Sequence, residues 1–307
     1  MKFPWLFVAA VVEAAAVTRE CTVDSPDEDG RYAISSTNIT AQFIPYGATM
    51  TNLFVKDKHG KDINVVLGYD DVDYYPKDPD HPVYNAIPGH YANRIGKGKS
   101  TIDGVTYKTE KNDGDNTLHS GTNNWSFRFW NGQDNGQIAR SKDSHPPHST
   151  YLLQPRCLRQ PRHLQILVSP APPSVLLSLP TGRILTAASG SINDFHSAPN
   201  LTLGHAQEQP GFSGNCGAGG RCEGYNWYWL IEDAPPGVVV ARLASEFSRV
   251  RAELRTDQPG LVVYSCNWAD GSAKLKRTQG ADGKEGTVGR SSCVAIEAQE
   301  WVAGVNQ

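Results

Sequence analysis

The sequence predicts an all-β protein, and three observations favour that class. Apolar and polar residues alternate over short distances, which is the period of a strand with one buried face. No long stretch has helical period, and the chain contains 29 glycines and 20 prolines. A chain of 307 residues is long enough to bury one large core or two small ones.

Strand and turn signals are dense in the N-terminal part of the chain, from Tyr32 to about Trp130. Short apolar runs predict strands at residues 42–44, 51–55 and 63–67. Asp103 and Gly104 lie between the segments 101–102 and 105–107. An Asp-Gly pair between two such segments is typical of a tight β-hairpin.

The C-terminal part, from Gly237 onward, shows the same pattern. Strands are predicted at residues 238–240, 249–255, 261–268 and 293–299, with a turn at residues 257–260. In residues 249–255 apolar and charged residues alternate strictly, so one face of this strand is expected to be buried and the other exposed.

The middle of the chain, at about residues 140–178, is rich in Pro, Ser, Leu, Arg and His. Prolines at this density cannot lie in interior strands, because each lacks the N–H group that a strand ladder requires. This segment is therefore predicted to be a loop or a disordered insert within a domain that spans residues 20–307.

Residues 1–19 are predicted to be a signal peptide, which would make the protein secreted. Lys2 precedes an apolar run at residues 3–12, and residues 14–16 are alanines of the kind that a signal peptidase accepts. The alternative is a buried N-terminal helix. Three Asn-X-Ser/Thr triplets are candidate glycosylation sites of a secreted protein, at Asn38, Asn124 and Asn200.

The six cysteines are a modest number for this length. Cys216 and Cys222 flank a glycine-rich loop that a disulfide could close, whereas Cys266 and Cys293 are interpreted as buried thiols on strands. No histidine lies at zinc-ligand spacing beside them, so no metal site is predicted. The formal net charge of −3 gives no basis for binding nucleic acid or an anionic membrane, and the sequence identifies no protein partner.

Four short motifs follow one another between residues 47 and 121. They are Gly-Ala-Thr at 47–49, Val-Leu-Gly-Tyr-Asp at 66–70, Gly-His-Tyr-Ala-Asn-Arg-Ile-Gly-Lys-Gly at 89–98 and Asn-Thr-Leu-His-Ser-Gly at 116–121. In this order they resemble the motifs of the galactose mutarotase (aldose 1-epimerase) family. A looser resemblance resumes at residues 180–184 and reaches Ala-Ile-Glu-Ala-Gln at 295–299, but it fails over the middle segment.

The resemblance implies a β-supersandwich with a concave sugar-binding face. It also implies interconversion of the α and β anomers of a free hexose such as galactose or glucose, without a metal or an organic cofactor. Opening the pyranose ring requires removal of a proton from the C1 hydroxyl and delivery of a proton to the ring oxygen. A carboxylate base and a histidine acid on opposite sides of the sugar meet that need near neutral pH.

The resemblance assigns the base to Glu297 and a sugar hydrogen bond to His119, and these two residues are the candidate catalytic pair. Glu297 shares a predicted strand face with residues 293, 295 and 299, opposite the apolar face of residues 294, 296 and 298. The alternative for Glu297 is a surface carboxylate on an edge strand, and the alternative for His119 is a solvated loop side chain.

Four residues match sugar-binding positions of the family, namely Asn93, Arg94, His119 and Asn226. The guanidinium of Arg94 suits adjacent sugar oxygens, although a structural ion pair is the alternative. Asn226 stands where the family carries an acidic residue. Trp125 and Trp130 could stack on a sugar, but core packing is the favoured interpretation for both.

The family's general-acid histidine has no match in this chain. It belongs to an Asn-His-x-Tyr segment that is expected where the proline-rich insert lies, and His145, His148 and His163 of the insert lack that context. We therefore expect little or no mutarotase activity. The alternatives are a carbohydrate-binding protein of the same fold that has lost catalysis, and a chain that is unstable as written.

Overall fold

The computed structural model describes residues 22–23, 25–79, 83–130, 164–167, 179, 184–195, 201–216, 222–231, 237–245, 249–279, 286–302 and 304. Sixteen strands and three short 3-10 turns make up the regular structure of these ranges, with no α-helix among them. Several features of the sequence analysis lie outside the described residues, namely the signal peptide at 1–19, the triplet at Asn200 and the histidines of the insert.

The first five strands form one antiparallel sheet in the order β1-β2-β3-β4-β5. They are β1 Thr22–Val23, β2 Tyr32–Ser36, β3 Ile39–Ile44, β4 Thr49–Lys56 and β5 Asp62–Asn64. The predicted strands at residues 42–44 and 51–55 are thereby confirmed within longer elements. The predicted strand at 63–67 is shorter than expected, because the chain leaves the ladder after Asn64.

The next four strands form two small antiparallel ladders, in which β6 pairs with β9 and β7 pairs with β8. They are β6 Arg94–Ile95, β7 Lys99–Ile102, β8 Val105–Lys108 and β9 Thr117–Leu118. Asp103 and Gly104 both have positive φ, at 51° and 78°. A two-residue hairpin of this kind requires two such residues, so the predicted hairpin is confirmed.

The remaining strands form a second five-stranded sheet, in the order β11-β10-β12-β15-β16, and a separate pair of β13 with β14. They are β10 Leu164–Leu167, β11 Ile184–Leu185, β12 Asn226–Ile231, β13 Ala241–Ala244, β14 Arg251–Leu254, β15 Gly260–Tyr264 and β16 Ala295–Gln299.

Strand β10 contradicts the prediction that residues 140–178 form only a loop or a disordered insert. Its backbone pairs with β12 on one side and with β11 on the other. The four residues of β10 contain no proline, so each can donate its N–H to a neighbour. The rest of the predicted insert lies outside the described residues.

Two further strand predictions were wrong in detail. The strand expected at residues 238–240 begins instead at Ala241. In β14 the predicted alternation is absent, because Ala252 is exposed whereas the Glu253 side chain is only 16% exposed. Three guanidinium groups surround that carboxylate, from Arg242, Arg251 and Arg255. The long arginine side chains cover the glutamate, a result that hydrophobic periodicity does not predict.

The second sheet separates two cores. The side chains of Trp229 and Tyr225 pack with Ala206 and Phe212 on one side. On the other side, Tyr228, Leu230 and Val262 pack with Val302. Successive side chains of a strand point to opposite faces, so Tyr228 and Trp229 of β12 necessarily contribute to different cores.

Both cysteine pairs of the described residues form disulfides. Cys216 and Cys222 are joined with a Cα–Cα distance of 6.0 Å, as the sequence suggested. Cys266 and Cys293 are also joined, with a Cα–Cα distance of 5.5 Å, so the interpretation of these two as buried thiols was wrong. Cys266 follows β15 and Cys293 precedes β16, and the pairing of these two strands brings both residues to the same end of the sheet.

Candidate functional site

The second sheet places Glu297 and Asn226 on one face. Glu297 of β16 lies opposite Val262 of β15, which in turn lies opposite Tyr228 of β12. Residues directly opposite in a ladder, and residues two apart in a strand, share a face. Asn226 is two residues before Tyr228, so its side chain is on the face that carries Glu297, hereafter the site face.

The predicted division of the last strand is therefore confirmed. Ala295 and Gln299 share the site face with Glu297, whereas Ile296 and Ala298 point to the opposite side, where Ala298 is 6% exposed. The alternative of an exposed surface carboxylate at Glu297 is excluded, because its residue is partly buried and its carboxyl is removed from water.

The β6–β9 ladder places Arg94 and His119 beside each other, since Arg94 lies opposite Leu118 and His119 follows at once. Two hydrogen bonds, each donated by a backbone N–H, hold His119 against Asn93. The N–H of His119 donates to the carbonyl of Asn93 at 2.9 Å, and the N–H of Asn93 donates to Nδ1 of His119 at 3.1 Å. Both residues have positive φ, at 60° and 50°.

The segment before β6 also contacts the end of the chain that follows β16. The hydroxyl of Tyr91 donates to the backbone carbonyl of Trp301 at 2.7 Å. Arg94 is close enough to act electrostatically on both Glu297 and His119. The structure thus brings together Asn93, Arg94, His119 and Glu297, of which the first and the last are 204 residues apart in the chain (297 − 93).

Arg94 is both an ion-pair partner and a member of this cluster. Its Nε donates to Asp113 Oδ2 at 2.7 Å, and its Nη1 contacts Asn93 Oδ1 at 3.3 Å. The side chain is 17% exposed. The structural ion pair is therefore present, and it orients the guanidinium through the Nε edge. Asp113 is a contributor that the sequence reasoning missed, and no local motif marks it.

Burial raises the pKa of the Glu297 carboxyl, and the positive charge of Arg94 partly opposes that rise. A carboxylate whose pKa is above the ordinary range is a stronger base than one in water. That change suits a group that must accept a proton from a sugar hydroxyl near neutral pH.

The pKa of His119 is lowered to about 4, mainly by burial and also by the charge of Arg94, while the charge of Asp113 opposes the shift. The geometry points the same way. Nδ1 accepts a hydrogen bond from the Asn93 N–H, so the neutral ring carries its proton on Nε2. His119 near pH 7 is a neutral hydrogen-bond donor rather than an imidazolium acid.

The remaining predicted residues fall into two groups. Trp125 is 6% exposed and packs against Trp130 with ring centroids 5.7 Å apart, so core packing is confirmed for Trp125.

Asn38 is exposed in the turn between β2 and β3. Asn124 is only 3% exposed, and both ends of its amide are engaged, with Gly121 and Ser126. A glycan attached to Asn124 of the folded chain would have to displace these contacts, so we expect modification at Asn38 and not at Asn124.

The described ranges contain neither a cluster of metal-binding side chains nor a membrane-spanning helix. No group of three or more His, Cys, Asp or Glu side chains in these ranges could hold a metal ion. No helix in the same ranges has the length and apolar character needed to cross a membrane.

Comparison with known proteins gives the site its context. The aldose 1-epimerase family model matches residues 30–152. A probable aldose 1-epimerase of Arthroderma benhamiae is 28% identical over an alignment of 351 positions. The alignment covers 90% of this chain and 79% of the relative. The galactose mutarotase of Sus scrofa is 26% identical, and the match covers 95% of this chain and 92% of that protein.

Solved structures agree in fold. The crystal structure of an aldose epimerase homologue from C. elegans superposes with a TM-score of 0.61 at 19% identity, covering 88% of each chain. Galactose 1-epimerase from Lactobacillus acidophilus superposes with a TM-score of 0.56 at 13% identity. This chain is similar to members of the aldose 1-epimerase family. The predicted all-β sandwich is thereby confirmed, and the family is one of isomerases that interconvert the anomers of a sugar.

Proposed function

We propose that this chain is an aldose 1-epimerase that binds a free hexose such as galactose or glucose on the site face, with Glu297 as the base. The observation that carries this proposal is the cluster of Glu297, Arg94 and His119, in which a buried carboxylate and a neutral imidazole lie in the field of one guanidinium. The proposal requires no metal and no organic cofactor.

The chemistry is a reversible opening of the ring. Glu297 accepts the proton of the C1 hydroxyl, the bond between C1 and the ring oxygen breaks, and that oxygen takes up a proton. The open-chain aldehyde then rotates about its C1–C2 bond, and the reverse steps close the ring on the other face. The neutral His119 is suited to donate a hydrogen bond from Nε2 to a sugar oxygen, and Asn93, Arg94 and Asn226 are suited to bind the remaining hydroxyls.

This mechanism has no protein side chain assigned to donate the proton that the ring oxygen takes up. His119 would have to become an anion to give up its only ring proton, so the donor would be water. General acid catalysis typically contributes about 10²–10⁴-fold, and we expect the rate to fall short of a complete epimerase by about that factor.

A second candidate function is binding of a monosaccharide without catalysis. The observation that favours it is the neutral His119, which can recognise a sugar oxygen but cannot protonate it.

Polarimetry of freshly dissolved α-galactose and α-glucose separates the two. Mutarotation above the buffer rate that disappears in Glu297→Gln supports the enzyme. A rate equal to buffer, together with sugar binding in a calorimeter, supports the binding protein, and no binding by folded protein would overturn both.

We also propose that the protein is secreted. The apolar segment at residues 3–12, the exposed Asn-Ile-Thr triplet at Asn38 and the two disulfides support this, because disulfides persist in oxidising compartments. Appearance of the processed chain in the medium of a secreting host tests this proposal, and retention of a chain that begins at Met1 would contradict it.

A further inference from the structure

We propose that Ser120 is a positioning residue, because its hydroxyl holds the loop that carries His119 against the segment that carries Asn93 and so fixes the orientation of the imidazole. This inference deepens the proposed function and rests on it, since His119 there donates from Nε2 to a sugar oxygen. Ser120 follows His119 directly in the chain.

Four hydrogen bonds join residues 91–93 to residues 119–120, and Ser120 makes two of them. Its hydroxyl oxygen accepts from the N–H of Tyr91 at 2.7 Å, and the same hydroxyl donates to the carbonyl of Tyr91 at 3.1 Å. A hydroxyl has one proton to donate and two lone pairs. One side chain therefore engages both backbone polar groups of Tyr91, and this double contact is called the clasp below.

The clasp extends the β6–β9 ladder beyond Arg94, where the regular pairing ends. The N–H of Asn93 donates to Nδ1 of His119, and the N–H of Tyr91 donates to the hydroxyl of Ser120. Two side chains thus take the place of backbone acceptors. The imidazole keeps this place only while its loop stays in register with residues 91–93, and the clasp is the contact that maintains the register next to it.

The backbone of the loop also depends on such contacts. His119 and Ser120 both have positive φ, at 50° and 68°. This region is unfavourable for residues other than glycine, and residues persist there when surrounding interactions hold them. A loop released from Tyr91 would be free to adopt a more favourable φ at Ser120, which would move the ring of His119 away from the Asn93 N–H.

Tyr91, the partner of Ser120 in the clasp, is itself held from the other side. Its hydroxyl donates to the carbonyl of Trp301 at 2.7 Å. Trp301 is four residues beyond Glu297 in the chain (301 − 297). The loop of His119 is therefore connected, through one tyrosine, to the segment that follows the strand of the base.

A serine that only stabilised the fold would leave the imidazole unchanged when it is replaced, and Ser126 provides this comparison. Ser126 is 1% exposed. Its hydroxyl donates to the carbonyl of Ile87 at 3.2 Å, so it holds a nearby part of the chain without belonging to the clasp. Ser126→Ala is therefore the matched control for the loss of a serine hydroxyl.

Nitrogen NMR of the full chain with 15N-labelled histidine observes the ring directly, and the signals of His119 are those that disappear in His119→Asn. In the wild type at pH 7 we expect the neutral ring with its proton on Nε2, and a pKa of about 4. Ser120→Gly and Ser120→Ala should populate both tautomers and move the pKa toward the ordinary value of 6.5, because the ring gains water. Ser126→Ala should change neither property.

The two variants at Ser120 separate the hydroxyl from the backbone conformation. Glycine adopts positive φ readily, so Ser120→Gly keeps the loop conformation accessible and remains the usable variant if Ser120→Ala does not fold. Thermal melting confirms that each variant is folded. A His119 ring that is unchanged in folded Ser120→Gly would overturn the role of the hydroxyl.

Calorimetric titration with galactose connects the clasp to the proposed function. We expect Ser120→Gly to weaken binding about tenfold, the effect of one lost hydrogen bond to the sugar, and Ser126→Ala to leave the affinity unchanged. Equal affinities of the wild type and Ser120→Gly, with an altered His119 ring, would overturn the positioning role in sugar binding. A wild type that binds no sugar would overturn the proposed function, whereas the NMR comparison would still decide whether Ser120 orients the ring.

Discussion

The two disulfides are predicted to stabilise the fold unequally, because they close loops of different length. Cys266 and Cys293 are 27 residues apart in the chain, whereas Cys216 and Cys222 are 6 apart. Loop-closure entropy in the unfolded chain then gives about 3.6 kcal/mol for the longer loop and about 2.4 kcal/mol for the shorter one at 25 °C. We expect the double variant Cys266→Ala/Cys293→Ala to lose about 1.2 kcal/mol more than Cys216→Ala/Cys222→Ala.

Urea denaturation of the wild type and the two double variants measures this difference. The comparison is informative because the burial of the cysteines and the lengths of the closed loops predict opposite orders of destabilisation. Cys216 and Cys222 are 2% and 0% exposed, so their removal leaves the more enclosed cavities, whereas Cys266 is 8% exposed. Equal destabilisation, or a larger loss for the 216–222 pair, would refute the loop-length argument. Peptide mapping that finds free thiols at Cys266 and Cys293 would refute the disulfide itself.

Two further predictions concern His119 and the glycosylation triplets. His119 has a pKa of about 4 in the fold against 6.5 for an ordinary histidine, so between these values the unfolded chain binds more protons and stability falls as the pH is lowered. Denaturation from pH 7 to pH 4 should show this loss in the wild type and a smaller one in His119→Asn, and identical profiles would contradict the buried neutral ring. In a secreting host, Asn38→Gln should remove an endoglycosidase-sensitive mass and Asn124→Gln should not. Loss of glycan mass in Asn124→Gln would show that this triplet is modified before the chain folds.

The sequence was most informative where the physical signal is local. The Asp-Gly pair at residues 103–104 predicted its hairpin because two positive φ angles are needed in adjacent residues. Alternation in residues 295–299 predicted which side chains share the face of Glu297, and the ladder register agrees. The motif order between residues 47 and 121 predicted the similarity to aldose 1-epimerases, and with it the sandwich fold.

The failures arise where distant residues decide the outcome. Glu253 is enclosed because three arginines converge on it, two of them within its own strand segment and one from β13. Cys266 and Cys293 meet because β15 and β16 are neighbours, and neither their spacing nor their context reveals that pairing. Strand β10 was not predicted, because prolines flank it on both sides in the sequence. Likewise Asp113, which orients Arg94, lies in a loop without any motif of its own.

A single feature, the removal of water, explains why the site combines a strong base with a histidine that is unprotonated near neutral pH. Burial raises the pKa of Glu297 and lowers that of His119, because it disfavours a carboxylate and an imidazolium alike. Arg94 opposes the first shift and adds to the second, so its charge disfavours the imidazolium form of His119 and keeps Glu297 from being protonated too readily. A bound hexose would displace more water from both groups, which would raise the pKa of Glu297 and lower that of His119 further. Substrate binding therefore cannot turn His119 into the missing acid, and recovery of full activity requires a new proton donor beside the ring oxygen rather than a stronger base.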